Sequence, residues 1–135
     1  MSFYLPTLTA NSLVTVSFIN QTSGNNAGYL AKTDMLGNAF DFDAAMELTS
    51  GNTTVSASAR TMLSADKFEY WLKGSVMTSV IVADHSAARS ADMGFDANKS
   101  FRPIFHATFW PGINKVKIRY IGENANTEAI QDQLY

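Results

Sequence analysis

Residues 101–121, FRPIFHATFWPGINKVKIRYI, decide the fold class of this chain. Phe105, Ala107 and Phe109 recur at every second position, with His106 and Thr108 between them. Val116, Ile118 and Tyr120 repeat the pattern beyond Pro111-Gly112-Ile113-Asn114, now interleaved with Lys115, Lys117 and Arg119. Successive side chains of a strand point to opposite sides of the sheet, so a period of two marks a half-buried strand. Two such arms about a turn make a β-hairpin with one apolar and one wet face. Proline presets φ at the first corner and glycine accepts positive φ at the second, which predicts a type II turn on Pro111-Gly112.

Upstream of the hairpin, residues 75–83 (SVMTSVIVA) are apolar on both faces, as in a central strand. Residues 64–73 read as a helix. Ser64 stands as N-cap, Leu63 and Phe68 have staple spacing, Phe68, Trp71 and Leu72 form one stripe, and Gly74 fits a left-handed C-terminal position. Residues 53–60 alternate again, with Val55, Ala57 and Ala59 opposite Thr54, Ser56 and Ser58, after a turn at Ser50-Gly51-Asn52. Phe40 and Phe42 alternate with Asp41 and Asp43, so residues 39–49 read as a bent or bulged strand. A short strand is expected over 29–33. A longer one is expected over 13–20, with Val14, Val16 and Phe18 on one face.

Residues 1–12 form an N-terminal arm, which Pro6 keeps out of a central strand. Residues 123–135 form a C-terminal tail, where Asn124 or Asn126 can cap a short helix. Strands recurring without alternating helices predict an all-β, mainly antiparallel domain over 1–135. The expected form is a β-sandwich or flattened barrel of about seven or eight strands, with jelly-roll order among those allowed.

Composition narrows the partners. Only 16% of the 135 residues are charged, against roughly 25% in typical soluble domains, and Ser, Thr and Asn supply about a quarter of the chain. Charge depletion of this kind accompanies surfaces that become buried between subunits. A net charge of -2 and a pI near 5.5 give no global field toward nucleic acid or anionic membrane. The absence of cysteine removes disulfides, thiolate nucleophiles and Cys-based zinc sites. No apolar run approaches the roughly 18 residues of a membrane span, and no basic leader opens the chain, so folding in a cytoplasm is expected.

Chemistry-bearing groups are sparse. His85 adjoins Asp84 in a polar loop over 84–100, while His106 sits mid-strand, and no spacing joins them. Asp84, His85, Asp92, Asp96 and Asn98 make this loop a candidate ligand loop. Its oxygens alternate like those of a calcium loop, but Pro103 stands where an EF-hand needs glutamate. Ser64-Ala65-Asp66-Lys67 matches S-x-x-K without the partner motifs of acyl-serine enzymes. Sequons at Asn20, Asn52 and Asn98 are expected by chance in so Asn/Ser/Thr-rich a chain. Lys115, Lys117 and Arg119 form a basic stripe that could face phosphates, or could simply discourage edge aggregation.

These readings predict a non-enzymatic protein with neither cofactor nor metal, a structural subunit of a phage or other virus particle in its capsid, decoration layer or tail. Its partners would be copies of itself and other subunits, met through Phe3, Tyr4, Leu5, Ile130, Leu134 and Tyr135. Two alternatives stand beside it. One is a carbohydrate-binding sandwich using Asn25, Asn26, Asp84 and Asp96. The other is an RNA-binding coat-type protein using the Lys115, Lys117 and Arg119 face.

Overall fold

In the computed structural model, residues 5, 7–17, 20 and 26–124 are described. Six strands and two short helices form among them: α1 (Lys32–Met35), β1 (Ala45–Ser50), β2 (Thr53–Ser58), α2 (Ala59–Ser64), β3 (Phe68–Leu72), β4 (Thr78–Val82), β5 (Phe101–Trp110) and β6 (Lys115–Asn124). The fold is mainly β, in two antiparallel sheets. One is the β1–β2 hairpin and the other has four strands in the order β3-β4-β5-β6.

The 101–121 hairpin is the longest paired unit, running in unbroken register from Phe101↔Asn124 to Trp110↔Lys115. Phe105, Ala107 and Phe109 are buried as their alternation requires, with Val80 and Val82 beside them from β4. The turn differs from the expected type II. Pro111–Ile113 winds into a 3-10 turn, and Asn114, not Gly112, takes the left-handed conformation at φ 49. Asparagine tolerates that region better than other side chains do, and so relieves the glycine of the role.

A second layer covers the inner face. Met35, Phe42, Ala57, Ala59, Met62 and Leu63 pack onto β4 and β5 as one apolar cluster. Phe40 and Phe42 meet Phe109 edge-on, with ring centroids 5.2 and 5.1 Å away. Thr78, fully buried, accepts from the Leu30 amide (2.9 Å) and donates to the Gly74 carbonyl (3.3 Å). Both contacts tie β4 to neighbouring chain without leaving a polar atom unmet.

The β1–β2 hairpin closes through a two-residue loop whose Gly51 has φ 57, as mirror-image hairpin turns require. β2 does not run on to residue 60. Ser58 caps α2, its Oγ accepting from the Thr61 amide (3.0 Å) and donating to Asp43 (2.8 Å). Asp43 also accepts from the Arg60 amide, while the Arg60 guanidinium donates to the carbonyls of Phe42 and Leu36. Ser58→Ala is therefore expected to lower stability by about 1 to 2 kcal/mol, the upper range for a cap, read as a lowered urea midpoint.

Several expected elements are corrected. The helix placed at 64–73 is instead a helix that ends at Ser64, followed by β3. Phe68 and Tyr70 fit a strand face as well as Phe68, Trp71 and Leu72 fit a helical stripe, and pairing with β4 decides between them. Ser64 is thus no N-cap, and Gly74 is not left-handed. The strand over 29–33 is replaced by α1, whose Asp34 carboxylate accepts from the Ala31 amide (2.8 Å). Residues 39–44 form no strand, and β1 begins only at Ala45. The described residues of 13–20 form none either. Leu13 is 91% exposed, Val14 46% and Val16 45%, and no described strand pairs with them. The C-terminal helix falls outside the described residues. No described helix is long and apolar enough to cross a membrane.

Candidate functional site

The outer face of the four-stranded sheet gathers the most varied set of accessible side chains. Alternation that turns Val80, Ala107 and the half-buried Ile118 to the core turns Ser79, His106, Thr108, Lys117 and Arg119 to the opposite side. Register lines them up in rows: Glu69, Ile81, His106 and Arg119 in one, Ser79, Thr108 and Lys117 in the next, Trp110 and Lys115 beyond. The β3–β4 register slips between Tyr70 and Leu72, leaving Trp71 as the extra residue of a bulge. Bulges re-aim side chains, and this one leaves Trp71 73% exposed at the rim of the face. Trp71, Ser79, His106, Thr108, Lys117 and Arg119 together line a shallow hollow of about 210 Å³. On its floor the Ser79 and Thr108 hydroxyls are 3.0 Å apart.

The expected basic stripe is thus a real surface feature, with Lys115, Lys117 and Arg119 all exposed on β6. Trp71, which sequence reasoning assigned to an interior helical stripe, joins it. The only signal available beforehand was β-propensity in FEYWL, which has two periods in competition.

Loop 84–100 is arranged differently. Asp84 is buried at the end of β4 and serves as the hub of its own loop. It accepts from the Ser86 amide (3.0 Å) and hydroxyl (2.6 Å), the Ser90 hydroxyl (2.8 Å), the Ala91 amide (3.2 Å) and the Lys67 ammonium (3.1 Å). Burial alone would raise its pKa. The donors from Ser86, Ser90 and Lys67 outweigh that and hold the carboxyl well below the usual range. Asp92 is also buried and faces the Arg89 guanidinium. Burial pushes its carboxyl upward, against the pull of Arg89 and Arg102. Asp96 turns back on its own loop, accepting from the Asn98 and Ser100 amides and the Ser100 hydroxyl. His85 is exposed beside this hub. Met93 and Phe101 bridge the loop's end through paired backbone bonds of 2.8 and 2.9 Å.

The loop therefore spends Asp84, Asp92 and Asp96 on internal partners. Between it and β2 with α2 lies a hollow of about 320 Å³, lined by Val55, Ala57, Met62, Asp92, Met93 and Lys99 among others. Among the described residues no three His, Cys, Asp or Glu side chains converge as a metal site would require. His106 lies on the outer sheet face, apart from the Asp84 hub.

Of the expected interface residues, Leu5 is described and exposed, while Phe3, Tyr4, Ile130, Leu134 and Tyr135 lie outside the described residues, as does Asn25. Among the described residues β6 has β5 on one side and no strand on the other, so its backbone forms an open edge there. Comparison with protein-family models, curated proteins and solved structures finds no significant match.

Proposed function

We propose that this protein is a non-enzymatic structural subunit of a larger assembly, of the kind that builds a phage or other virus particle. The observation that carries the reading is a pair of unmet surfaces on one chain. Among the described residues, 12–17 (SLVTVS) have strand-like alternation yet stand exposed and in no sheet, and β6 offers a ten-residue edge with no described strand beside it. Unpaired strand edges are templates for another chain. In this reading, residues 12–17 of one copy add to the β6 edge of the next.

Burying Val14 and Val16, which share a face, contributes about 1.5 to 3 kcal/mol each, and a main-chain ladder adds to that. Association costs an estimated 4 to 15 kcal/mol, so one such contact between two copies is weak. Each copy can donate and accept at once, however, and head-to-tail contacts of that type close into rings or shells. The donated strand would extend the four-stranded sheet, bringing the two layers toward a sandwich of about seven strands.

Light scattering on a size-exclusion column tests this. Wild-type protein is expected to elute as an oligomer, and Leu13→Asp with Val16→Asp as a monomer of unchanged thermal stability, because neither side chain is buried within the chain. A wild-type protein that stays monomeric at its highest soluble concentration overturns the reading.

A further inference from the structure

We infer that the outer face of the four-stranded sheet binds single-stranded nucleic acid, with a base stacked on Trp71 and phosphates held by Lys115, Lys117 and Arg119.

The first argument is how the chain uses its cations. Lys32, Lys67, Arg89 and Arg102 each meet a carboxylate. Arg60 donates to two carbonyls, and Lys73 lies over the Tyr29 and Tyr70 rings. Of the ten Lys and Arg residues, six thus have a partner within the described residues, and three of the other four stand together on β6. In a protein of net charge -2, three of the four cations with no ion pair or ring contact among the described residues thus stand on one strand face, Lys99 of the long loop being the fourth. Two described carboxylates share the face: Glu69, three strands away in the row of Arg119, and Glu123, which pairs with Arg102 at the far end of β6. The complement of such a face is a polyanion.

Spacing favours a single strand. Alternate residues of an antiparallel strand are about 6.8 Å apart, so the three cations repeat at that interval. This is roughly twice the 3.4 Å step of a stacked strand, as an extended, unstacked backbone would present. An aromatic platform is the second requirement of single-strand binding. Trp71 supplies it because the bulge in β3 places an indole, largely bare, at the rim of the same hollow. The Ser79 and Thr108 hydroxyls on the floor keep lone pairs for base N–H groups, and His106 adds a ring beside Arg119. Duplex nucleic acid has no exposed base faces for Trp71 to use. The inference does not depend on assembly, since the residues it uses are distinct from Leu13 and Val16.

The test is fluorescence anisotropy of labelled oligo(U) and oligo(dT) of about twelve nucleotides, within the site sizes of single-strand binders, titrated with the full chain. Binding is expected with quenching of tryptophan emission. Three phosphate contacts at a slope of about 0.7 each give roughly an 18-fold loss of affinity between 50 and 200 mM salt. Trp71→Ala should weaken binding roughly five- to 150-fold, Lys117→Glu with Arg119→Glu should abolish it, and Glu69→Gln should tighten it. All four side chains are on the wet face, so circular dichroism should be unchanged. The Leu13→Asp, Val16→Asp variant should keep its affinity per subunit, which separates this inference from the assembly reading. No anisotropy change at low salt, binding indifferent to the Trp71 and Lys117/Arg119 variants, or equal binding of duplex would each overturn it.

Discussion

Phe109→Ala is expected to cost about 3 to 5 kcal/mol, the range for removing a buried phenyl ring. Phe109 is fully buried near the C-terminal end of β5 and receives Phe40 and Phe42 edge-on, so its ring joins the covering layer to the sheet. Truncation would leave a cavity that two aromatic neighbours on irregular chain (40–44) must try to fill. Each edge-to-face contact adds about 0.5 to 1.5 kcal/mol beyond area burial, which places the cost toward the upper end. Urea melts would show a lower midpoint with an unchanged slope if the fold survives. Domains have only about 5 to 15 kcal/mol in hand, so most molecules could be unfolded at body temperature. Phe109→Leu, which refills most of the volume, should lose less than half as much. Trp71→Ala, two strands away and on the wet face, should stay within about 0.5 kcal/mol of wild type. An equal loss at Phe109 and Trp71 would contradict the two-faced sheet.

Asp84→Ala is the second large effect, about 3 to 5 kcal/mol, as for a buried ion pair that loses one member. The cost comes from what is left behind. Lys67, two serine hydroxyls and two amides would lose their common acceptor at the point where β4 passes into the long loop. Asp84→Asn should recover part of it, since one amide oxygen can still accept. The pH dependence has a definite sign. A carboxyl held below its unfolded pKa stabilises the fold at neutral pH, and that contribution drains away as pH falls below about 4 toward its folded value. Asp92, whose carboxyl is raised, has the opposite sign, favouring the fold as pH falls through its own range. The Asp84 donors outnumber the groups acting on Asp92, so thermal stability is expected to decline below about pH 4. In Asp84→Asn the decline should be flatter. A melting temperature that rises on acidification in both proteins would contradict this account.

The hairpin and the central strand were legible in the sequence because alternation of large apolar residues has one physical meaning when both faces differ sharply. Residues 105–109 and 116–120 are of this type, and each buried residue was assignable by parity. The stretch over 58–72 was not. Ser58 and Ser64 are equally good caps, and which one acts depends on Asp43, a partner 15 residues upstream that local reading does not see. FEYWL fits two periods over five residues, and only its pairing with β4 distinguishes them. For the candidate site, the three cations of β6 could be read directly from spacing. Trp71 could not, since its exposure follows from a register slip, and register belongs to a pair of strands.

The open margin of β6 carries a rule of parity for anything that joins it. Its own residues alternate between the aromatic interior and the cationic exterior, so a donated strand must fall into step with them. With Val14 and Val16 of such a strand turned inward, Thr15 and Ser17 would extend the hydroxyl and ammonium rows of the exterior. A displacement by one residue would set the valines among Lys117 and Arg119 and the hydroxyls against phenyl rings. Neighbours that joined in this way would be confined to offsets in steps of about 6.8 Å, a vernier that would let copies vary in curvature only by discrete amounts.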